Sequence, residues 1–438
     1  MFKYFPHTPD DIQRMLKVIG VKSLDELNAD IPEDIRLQND YNLPSAKSEI
    51  EIRRYFEQVG AENQQKICFA GAGVYDHYVP SVIPQITSRS EYLTSYTPYQ
   101  SEISQGTLHY IFEYQTMMAR LTGMQVSNAS MYDGSTATAE AMMMASTIVR
   151  KSSRVLVSET IDPKVLKVLK TYAHFRDIDI DMIPQKNGET DFSTLSEKLA
   201  QGGVAGVIVQ QPNYYGIIED FSGIADKCHE QKALFIINSI AADLSLLKTP
   251  GEWGADIAVG EAQSLGIPMA WGGPYLGYMC TIEKYMRKMP GRIVGQTVDE
   301  DGQRSFVLTL QAREQHIRRE KATSNICSNQ GLMTLWVTLY LSLMGKQGMQ
   351  EVTQRGCDGA HFLHDALLET GRFHDAFPGK EFLNEFCVKY DGNLDALQKL
   401  WLDNGIFGGV KIAEDTLMLA VTEQRTQKEM ETLLSYVQ

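Results

Sequence analysis

The sequence lacks several features that would place it in a specialised class. Its six cysteines lie far apart and form no CxxC pair, which argues against a zinc site and a disulfide framework. It has no apolar run of about 18 residues, so we predict no membrane span. Its N-terminus also lacks the apolar core and cleavage site of a signal peptide. Positive charge is scarce as well: the net charge of -14 argues against binding to nucleic acid. We therefore expect a cytoplasmic protein.

The remaining composition is that of an ordinary globular protein. With 438 residues, 43% of them hydrophobic and 22% charged, the chain has enough apolar material for a sizeable core and is long for a single domain. We predict three regions. They are an N-terminal helical arm (residues 1–64), a large α/β domain (65–320) and a small C-terminal α+β domain (321–438).

Two amphipathic helices predict the N-terminal arm. Thr8 is a capping residue, Pro9 suits the first helical position, and the apolar face that follows ends at Gly20. A second helix is expected from Ser45 to Val59. Each helix has one apolar face, which we expect to pack on the body of the protein or on a neighbour.

Short β-rich runs alternate with helical runs from about residue 120 onward. The predicted strands lie at residues 154–157, 178–183, 204–209, 234–237 and 256–259. Helices are predicted between them, and this alternation is typical of a parallel sheet covered by helices. After Arg292 the pattern predicts helix through Leu332–Trp336. Strand-like runs at 386–388 and 416–421, with a last helix, indicate the small C-terminal domain.

A turn made of Gly134, Ser135 and Thr136 precedes a predicted helix over residues 138–149. Free backbone N–H groups meet the positive end of a helix at such a turn, and this geometry binds phosphate. Ordinary helix capping explains the same residues, because Ser and Thr begin many helices. Both interpretations remain open at this point.

Four long motifs carry a resemblance to a known family. They are FAGAGVYDHYVP (Phe69–Pro80), TPYQSEISQG (Thr97–Gly106), NASMYDGST (Asn128–Thr136) and REKATSNIC (Arg319–Cys327). These motifs resemble the N-terminal half of glycine decarboxylase, the P-protein of the glycine cleavage system, and the match spans nearly the whole chain. In that family a degenerate and an active half are either fused or encoded separately as subunits 1 and 2. The length here corresponds to one half, of the subunit 1 type.

The resemblance implies an α/β fold of the pyridoxal-phosphate (PLP) transferase type, fold type I, with a central mostly parallel sheet. Active pockets of this fold carry a Schiff-base lysine in the loop after one strand and, on the preceding strand, an aspartate that keeps the pyridine nitrogen protonated. The corresponding positions here are Gln263 and Ile240. Neither side chain supplies that chemistry. We therefore expect no catalytic residue and no covalently bound cofactor in this chain, with PLP carried by the partner subunit.

Such a half is expected to complete the partner's site, because this fold builds each active site at a subunit interface. Thr323, Ser324 and Asn325 lie beside Arg318 and Lys321. Their hydroxyl and amide donors, next to positive charge, suit a phosphate reached across an interface. A basic surface turn that caps a helix is the alternative interpretation.

Three further residues, Tyr96, Tyr99 and Gln100, are candidates for contact with glycine or with the lipoyl arm. Aromatic packing in a core or an interface explains the tyrosines equally well. Met142–Met144 are interpreted as adaptable core packing. No His, Cys or Asp cluster has metal-ligand spacing, so no metal is predicted.

The function that the resemblance implies needs several partners. With the active subunit 2, in an α2β2 heterotetramer, the chain would decarboxylate glycine on PLP and pass the aminomethyl group to the lipoyl arm of H-protein. Two alternatives remain open. One is a regulatory or H-protein docking subunit that contributes nothing to the active site, and the other is an independent PLP enzyme that uses some other lysine.

Overall fold

The computed structural model describes residues 4, 6–37, 39, 41–94, 96–149 and 152–437. By its internal contacts the chain divides into two units, Met1–Gln64 and Gln65–Gln438. The boundary at residue 320 remains a prediction. Among the described residues, no helix combines the length and the apolar content that crossing a membrane requires.

The first unit contains two helices, Pro9–Ile19 and Glu49–Ala61, with short 3-10 turns between them. Thr8 and Asp11 form a capping box at the start of the first helix, and Gly20, with φ 89°, ends it as predicted. The second helix does not begin at Ser45. It begins at Glu49, because Ser48 and Glu51 supply the capping box that starts it.

The large unit is built around a seven-stranded sheet. In chain order its strands are β1 (Val126–Ser127), β2 (Arg154–Ser158), β3 (Asp179–Ile183), β4 (Val204–Gln210), β5 (Leu234–Ile240), β6 (Ile257–Glu261) and β7 (Gly277–Thr281). Across the sheet they lie in the order β1-β7-β6-β5-β4-β2-β3. β2 to β6 pair in parallel, whereas β7 runs antiparallel to β6 and β1. The sheet is mostly parallel, as predicted.

Helices cover both faces of this sheet, which explains why β4 and β5 read as nearly continuous apolar runs. The helices beside the sheet are Gln105–Thr122, Gly134–Ile148, Pro163–Arg176, Phe192–Ala200 and Ile224–Glu230. Val155 and Val157 of β2 pack in the cluster that contains Met142 and Met144. Leu156, between them, packs in a second cluster on the opposite face. The methionine run is therefore core packing, as interpreted.

The segment after Arg292 corrects the prediction of helix there. It forms an antiparallel hairpin, Ile293–Val298 with Arg304–Thr309. Asp299 closes the turn, because its Oδ1 accepts from the backbone N–H groups of residues 301 and 303 at 3.0 and 2.8 Å. The predicted helix starts only at Gly331 and runs to Glu369, with a kink at Gly345, where φ is 58°.

The C-terminal part contains a four-stranded antiparallel sheet with helices Leu394–Asp403 and Gln427–Ser435. Its strands, in spatial order, are Phe373–Asp375, Glu385–Tyr390, Thr416–Ala420 and Val410–Lys411. Short pairs complete the fold: Ile67–Cys68 with Ile406–Phe407, and Gln185–Lys186 with Glu189–Thr190. Short helices occupy Val82–Thr87 and Gln315–Arg318. The strand Glu385–Tyr390 brings Glu385 to the loop that follows Ile67–Cys68, where its Oε1 accepts from the Ala72 N–H at 2.6 Å.

Candidate functional site

Three residues predicted from the sequence, Gly134, Ser135 and Ile240, meet at the carboxyl ends of β5 and β6. Ile240 is the last residue of β5 and lies in register with Glu261, the last residue of β6. Gly134 begins a helix directly above them. A cavity of about 350 Å³ opens here, and the residues around it include Asp133, Gly134, Ser135, Ile240 and Glu261. In open α/β sheets this edge is where ligands bind.

Gln263 lies in the loop after β6, and both polar atoms of its side chain are hydrogen-bonded within the chain. Its side chain is 1% exposed. The amide oxygen accepts from the Tyr75 N–H at 3.0 Å, and the amide nitrogen donates to the carbonyls of Tyr75 at 3.0 Å and Ile267 at 2.8 Å. Gln263 thus fastens the loop around Tyr75 to the loop after β6.

Ile240 and its neighbour Asn238 present no acid to the cavity. Asn238 donates from Nδ2 to the Thr138 hydroxyl at 3.0 Å, and both residues line the cavity. An amide and an aliphatic side chain cannot hold a proton against a ring nitrogen.

The predicted turn is the first turn of the helix itself, since the helix begins at Gly134 and not at Thr138. Asp133 is the N-cap, and its Oδ1 accepts from the Thr136 N–H at 2.6 Å. The Gly134 N–H donates to Glu261 Oε2 at 3.0 Å. Glycine is required there, because a Cβ would come within 2.9 Å of the Glu261 nitrogen.

The sequence analysis overlooked several buried acids near this edge. Burial raises the pKa of Glu261, Asp243 and Glu385 each to about 7. Glu385 also accepts from the Tyr75 hydroxyl at 2.9 Å. A carboxylate that directly follows a buried strand, as Glu261 does, was the available sequence signal. Glu385 lay too far along the chain to be associated with Tyr75.

The Thr323 segment forms part of a separate pocket of about 240 Å³. Around it are positively charged and hydroxyl side chains, namely Arg287, Lys288, Arg292, Arg318, Lys321, Thr323, Ser324 and Ser328, with Glu314 as the acid among its lining residues. We call this the basic pocket. Asn325 is exposed and does not line it, so the predicted trio is only partly brought together. The pocket shares no lining residue with the cavity at the sheet edge.

Arg292 is the buried member of the basic pocket, with 3% exposure. Its guanidinium donates to the Tyr99 hydroxyl at 3.0 Å and also to the Cys327 carbonyl. Its Nε is buried without a partner among the described residues. Arg292 therefore joins predicted Tyr99 to the segment that follows Thr323, and it was missed because a lone arginine carries no sequence signal.

The Thr323 segment also contacts two helices, through the Ser324 side chain and the Thr323 carbonyl. Ser324 and Arg176 lie against Glu140. Burial raises the pKa of Glu140 to about 7, and the hydrogen bond from Ser324 and the charge of Arg176 oppose part of this rise. The Thr323 carbonyl accepts from Arg176 at 3.4 Å. The segment is therefore tied to the helix Gly134–Ile148.

Tyr96 and Gln100 are exposed to solvent. The Tyr96 hydroxyl is 3.5 Å from Gln100 Oε1, and the ring is about half exposed. Tyr96 lines a neighbouring pocket of about 440 Å³ that shares Ser328 with the basic pocket. Of the predicted tyrosines, Tyr96 therefore lies beside the basic pocket, and Tyr99 contacts Arg292, which lines that pocket. Within the described part of the chain no group of His, Cys, Asp or Glu could hold a metal ion.

Comparison with solved structures defines the class. A glutamate decarboxylase from Lactobacillus brevis superposes with a TM-score of 0.68 at 11% identity, covering 92% of this chain and 95% of that one. A glycine decarboxylase (P-protein) of the glycine cleavage system, in inhibitor-bound form, superposes with a TM-score of 0.89 at 38% identity, covering 100% and 99%. The fold is that of the PLP-dependent enzymes of fold type I, which confirms the predicted fold class.

The family is defined by sequence. The model of the glycine cleavage system P-protein family matches residues 2–437. A probable glycine dehydrogenase (decarboxylating) subunit 1 from Bacillus pumilus is 47% identical over 441 residues, covering 99% of this chain and 98% of the relative. The chain belongs to the glycine cleavage system P-protein family, as the sequence motifs indicated.

The residues at the sheet edge do not fit PLP. The position that the resemblance assigns to the lysine holds Gln263, whose amide is already bonded on both sides, and the position that it assigns to the ring partner holds Ile240, which is aliphatic. At the phosphate turn, a carboxylate takes the Gly134 N–H.

Proposed function

We propose that this chain is subunit 1 of a glycine decarboxylase and that it works with a PLP-carrying subunit 2, in an α2β2 heterotetramer. The assembly decarboxylates glycine and transfers the aminomethyl group to the lipoyl arm of H-protein. This chain alone is inactive. Full-length similarity to proteins named as subunit 1 supports the assignment.

The division of labour follows from what the pocket contains. Gln263 and Ile240 leave this chain without the lysine and the acid that PLP chemistry needs. PLP supplies the electron sink when it is bound in the partner subunit. The contribution of this chain is then binding and positioning, and its residues perform no proton transfer.

The basic pocket is the observation that carries the site-completing role. Among the described residues, Arg287, Lys288, Arg318 and Lys321 have no ion-pair partner, although they surround one concave space with Thr323 and Ser324. The Ser324 hydroxyl also bonds to Glu140. Unpaired cations and hydroxyl donors facing one cavity are what an anionic phosphate requires. We propose that Thr323 and Ser324, with Arg292 behind them, hold the phosphate end of the partner's cofactor.

Tyr96, Tyr99 and Gln100 are proposed to line the approach to the same site. All three are exposed, and the Tyr99 hydroxyl in addition accepts a hydrogen bond from Arg292. Asn325 is exposed and is proposed to contact the partner subunit at the edge of the site.

The test is co-purification of the full chain with subunit 2, followed by glycine–carbon dioxide exchange and PLP binding. Thr323→Ala removes one charge-assisted hydrogen bond, so we expect PLP affinity of the complex to fall about 10- to 100-fold. Thr432→Ala, at a partly exposed threonine of the last helix, is the matched control and should have no effect on PLP affinity. Wild-type PLP affinity in the Thr323→Ala complex would exclude the phosphate contact.

The same experiment addresses the docking alternative. If subunit 2 alone has full exchange activity and adding this chain leaves it unchanged, the chain contributes nothing to the active site and the regulatory or H-protein docking role stands instead. Sedimentation of the mixed complex tests the α2β2 composition.

A further inference from the structure

The helix Gly134–Ile148 already has a negative group at its N-terminal end, and that group belongs to the chain. Glu261 Oε2 accepts from the Gly134 N–H at 3.0 Å. Its Oε1 accepts from the N–H groups of Gln263 at 3.0 Å and Leu276 at 2.9 Å. One carboxylate thus receives three backbone N–H groups from three separate segments.

These contacts reproduce what a bound phosphate does at a helix N-terminus. A phosphate there accepts several backbone N–H groups and its negative charge meets the positive end of the helix. Asp133, the N-cap, takes the Thr136 N–H. The N–H groups of Gly134 and Thr136 are therefore occupied by Glu261 and Asp133.

The charge of the surrounding cavity also opposes a further anion. Its lining residues include three carboxylates, Asp133, Asp162 and Glu261, against one lysine, Lys164. Lys164 itself is directed to the Ala72 carbonyl at 3.4 Å. Burial raises the pKa of Glu261 to about 7, so above that pH a dianionic phosphate would enter a space whose carboxylates repel it.

We propose that Glu261 is an internal anion that takes the place of the cofactor phosphate and closes this turn to phosphate and to PLP. This role of Glu261 rests on the proposed function, in which the pocket of this chain holds no cofactor. It stands on the contacts of Glu261, however, and it is tested without the partner, so it can fail while the subunit assignment holds.

The experiment compares the full chain with Glu261→Ala in thermal unfolding, with inorganic phosphate titrated against chloride at constant ionic strength. Removing the carboxylate should lower the melting temperature and open the turn, so that phosphate restores part of the loss in a saturable way. Equilibrium dialysis with PLP should show affinity at least about tenfold above that of the wild type.

Glu219→Ala is the matched control, because Glu219 is also a buried carboxylate, 1% exposed. It accepts from the side chains of Thr160 and Asn213 and from the Thr190 N–H, and none of these donors is the backbone N–H of a helical residue. Its variant should be destabilised without gaining phosphate or PLP binding. Any phosphate effect at the basic pocket is common to all variants and cancels in the comparison. An equal phosphate response in Glu261→Ala, Glu219→Ala and the wild type would overturn the proposal.

A second measurement uses only the wild-type chain, so it does not depend on whether a variant folds. The wild-type chain is incubated with PLP, treated with borohydride and mapped by peptide mass. We expect no label on Lys164, the lysine of this cavity. A stoichiometric label there would show that PLP enters the closed turn, would overturn the proposal, and would favour an independent PLP enzyme that uses a different lysine.

Discussion

Replacing Gln263 by methionine tests whether the hydrogen bonds of this side chain hold the loop around Tyr75 to the loop after β6. Methionine preserves the length of the side chain and its fit in a buried space, but it cannot form the three hydrogen bonds that Gln263 makes with Tyr75 and Ile267. The change therefore leaves one N–H and two carbonyl groups without these partners.

The expected cost follows from that count. A buried polar group left unsatisfied costs about 1–3 kcal/mol. The two carbonyls each keep a second lone pair, so we expect a total of about 2–4 kcal/mol and not the sum of three full penalties. The loss is local, because it frees the loop around Tyr75 from the loop after β6 while the rest of the sheet is unchanged.

Native-state hydrogen exchange of the Tyr75 amide is the most direct assay, since it reports the opening of this loop rather than unfolding of the whole chain. A loss of about 2 kcal/mol speeds exchange roughly 30-fold. Gln427→Met, at an exposed glutamine, is the control and should leave Tyr75 exchange at the wild-type rate. If Gln263→Met exchanges no faster than this control, these hydrogen bonds are not stabilising and the reasoning is wrong.

Two other changes give independent predictions. Arg292→Ala removes the buried guanidinium that bonds Tyr99 and the Cys327 carbonyl, so we expect a loss of about 2–4 kcal/mol in urea unfolding, together with weaker PLP binding in the complex; a shift below about 0.5 kcal/mol would contradict this. Burial raises the pKa of Glu385 from 4.5 to about 7, so between these values the folded chain holds this proton more tightly than the unfolded chain does. Its stabilisation is present at low pH and is lost as the pH rises through about 7. Glu385→Gln should therefore show a smaller fall in melting temperature than the wild type between about pH 5 and 8, and an equal fall would contradict the raised pKa.

The sheet was predictable because its signal is local. Runs such as Val204–Val209 and Leu234–Ile237 are apolar at every position, as strands covered on both faces must be, and the prediction of parallel strands was correct. The hairpin after Arg292 was not predicted, because its alternation is weak and its strands are stabilised by packing on the helix Gln105–Thr122. Two side chains of that helix, Gln105 and Gln115, donate to the Phe306 and Val294 carbonyls across long sequence separations.

The candidate site was predictable only in part, for a related reason. The resemblance marks Gln263 and Ile240 as replacements of the lysine and the aspartate, and that assignment stays a prediction. What those replacements do was not predictable: the bonds from Gln263 to Tyr75 and from Glu261 to Gly134 join residues more than a hundred positions apart. Arg292 was missed because its partners, Tyr99 and Cys327, meet it only in the folded chain.

The helix Gly134–Ile148 connects the two regions that the site comprises. Its first residue is fixed by Glu261, and Glu140, six residues further on and about 9 Å along the axis, lies against Ser324 of the proposed partner-facing segment. A helix that is buried in the core transmits displacement of one end to the other as a nearly rigid rod. The cavity at the sheet edge and the Thr323 segment are therefore mechanically coupled through this helix, so that a change at Glu261 would displace Ser324 as well.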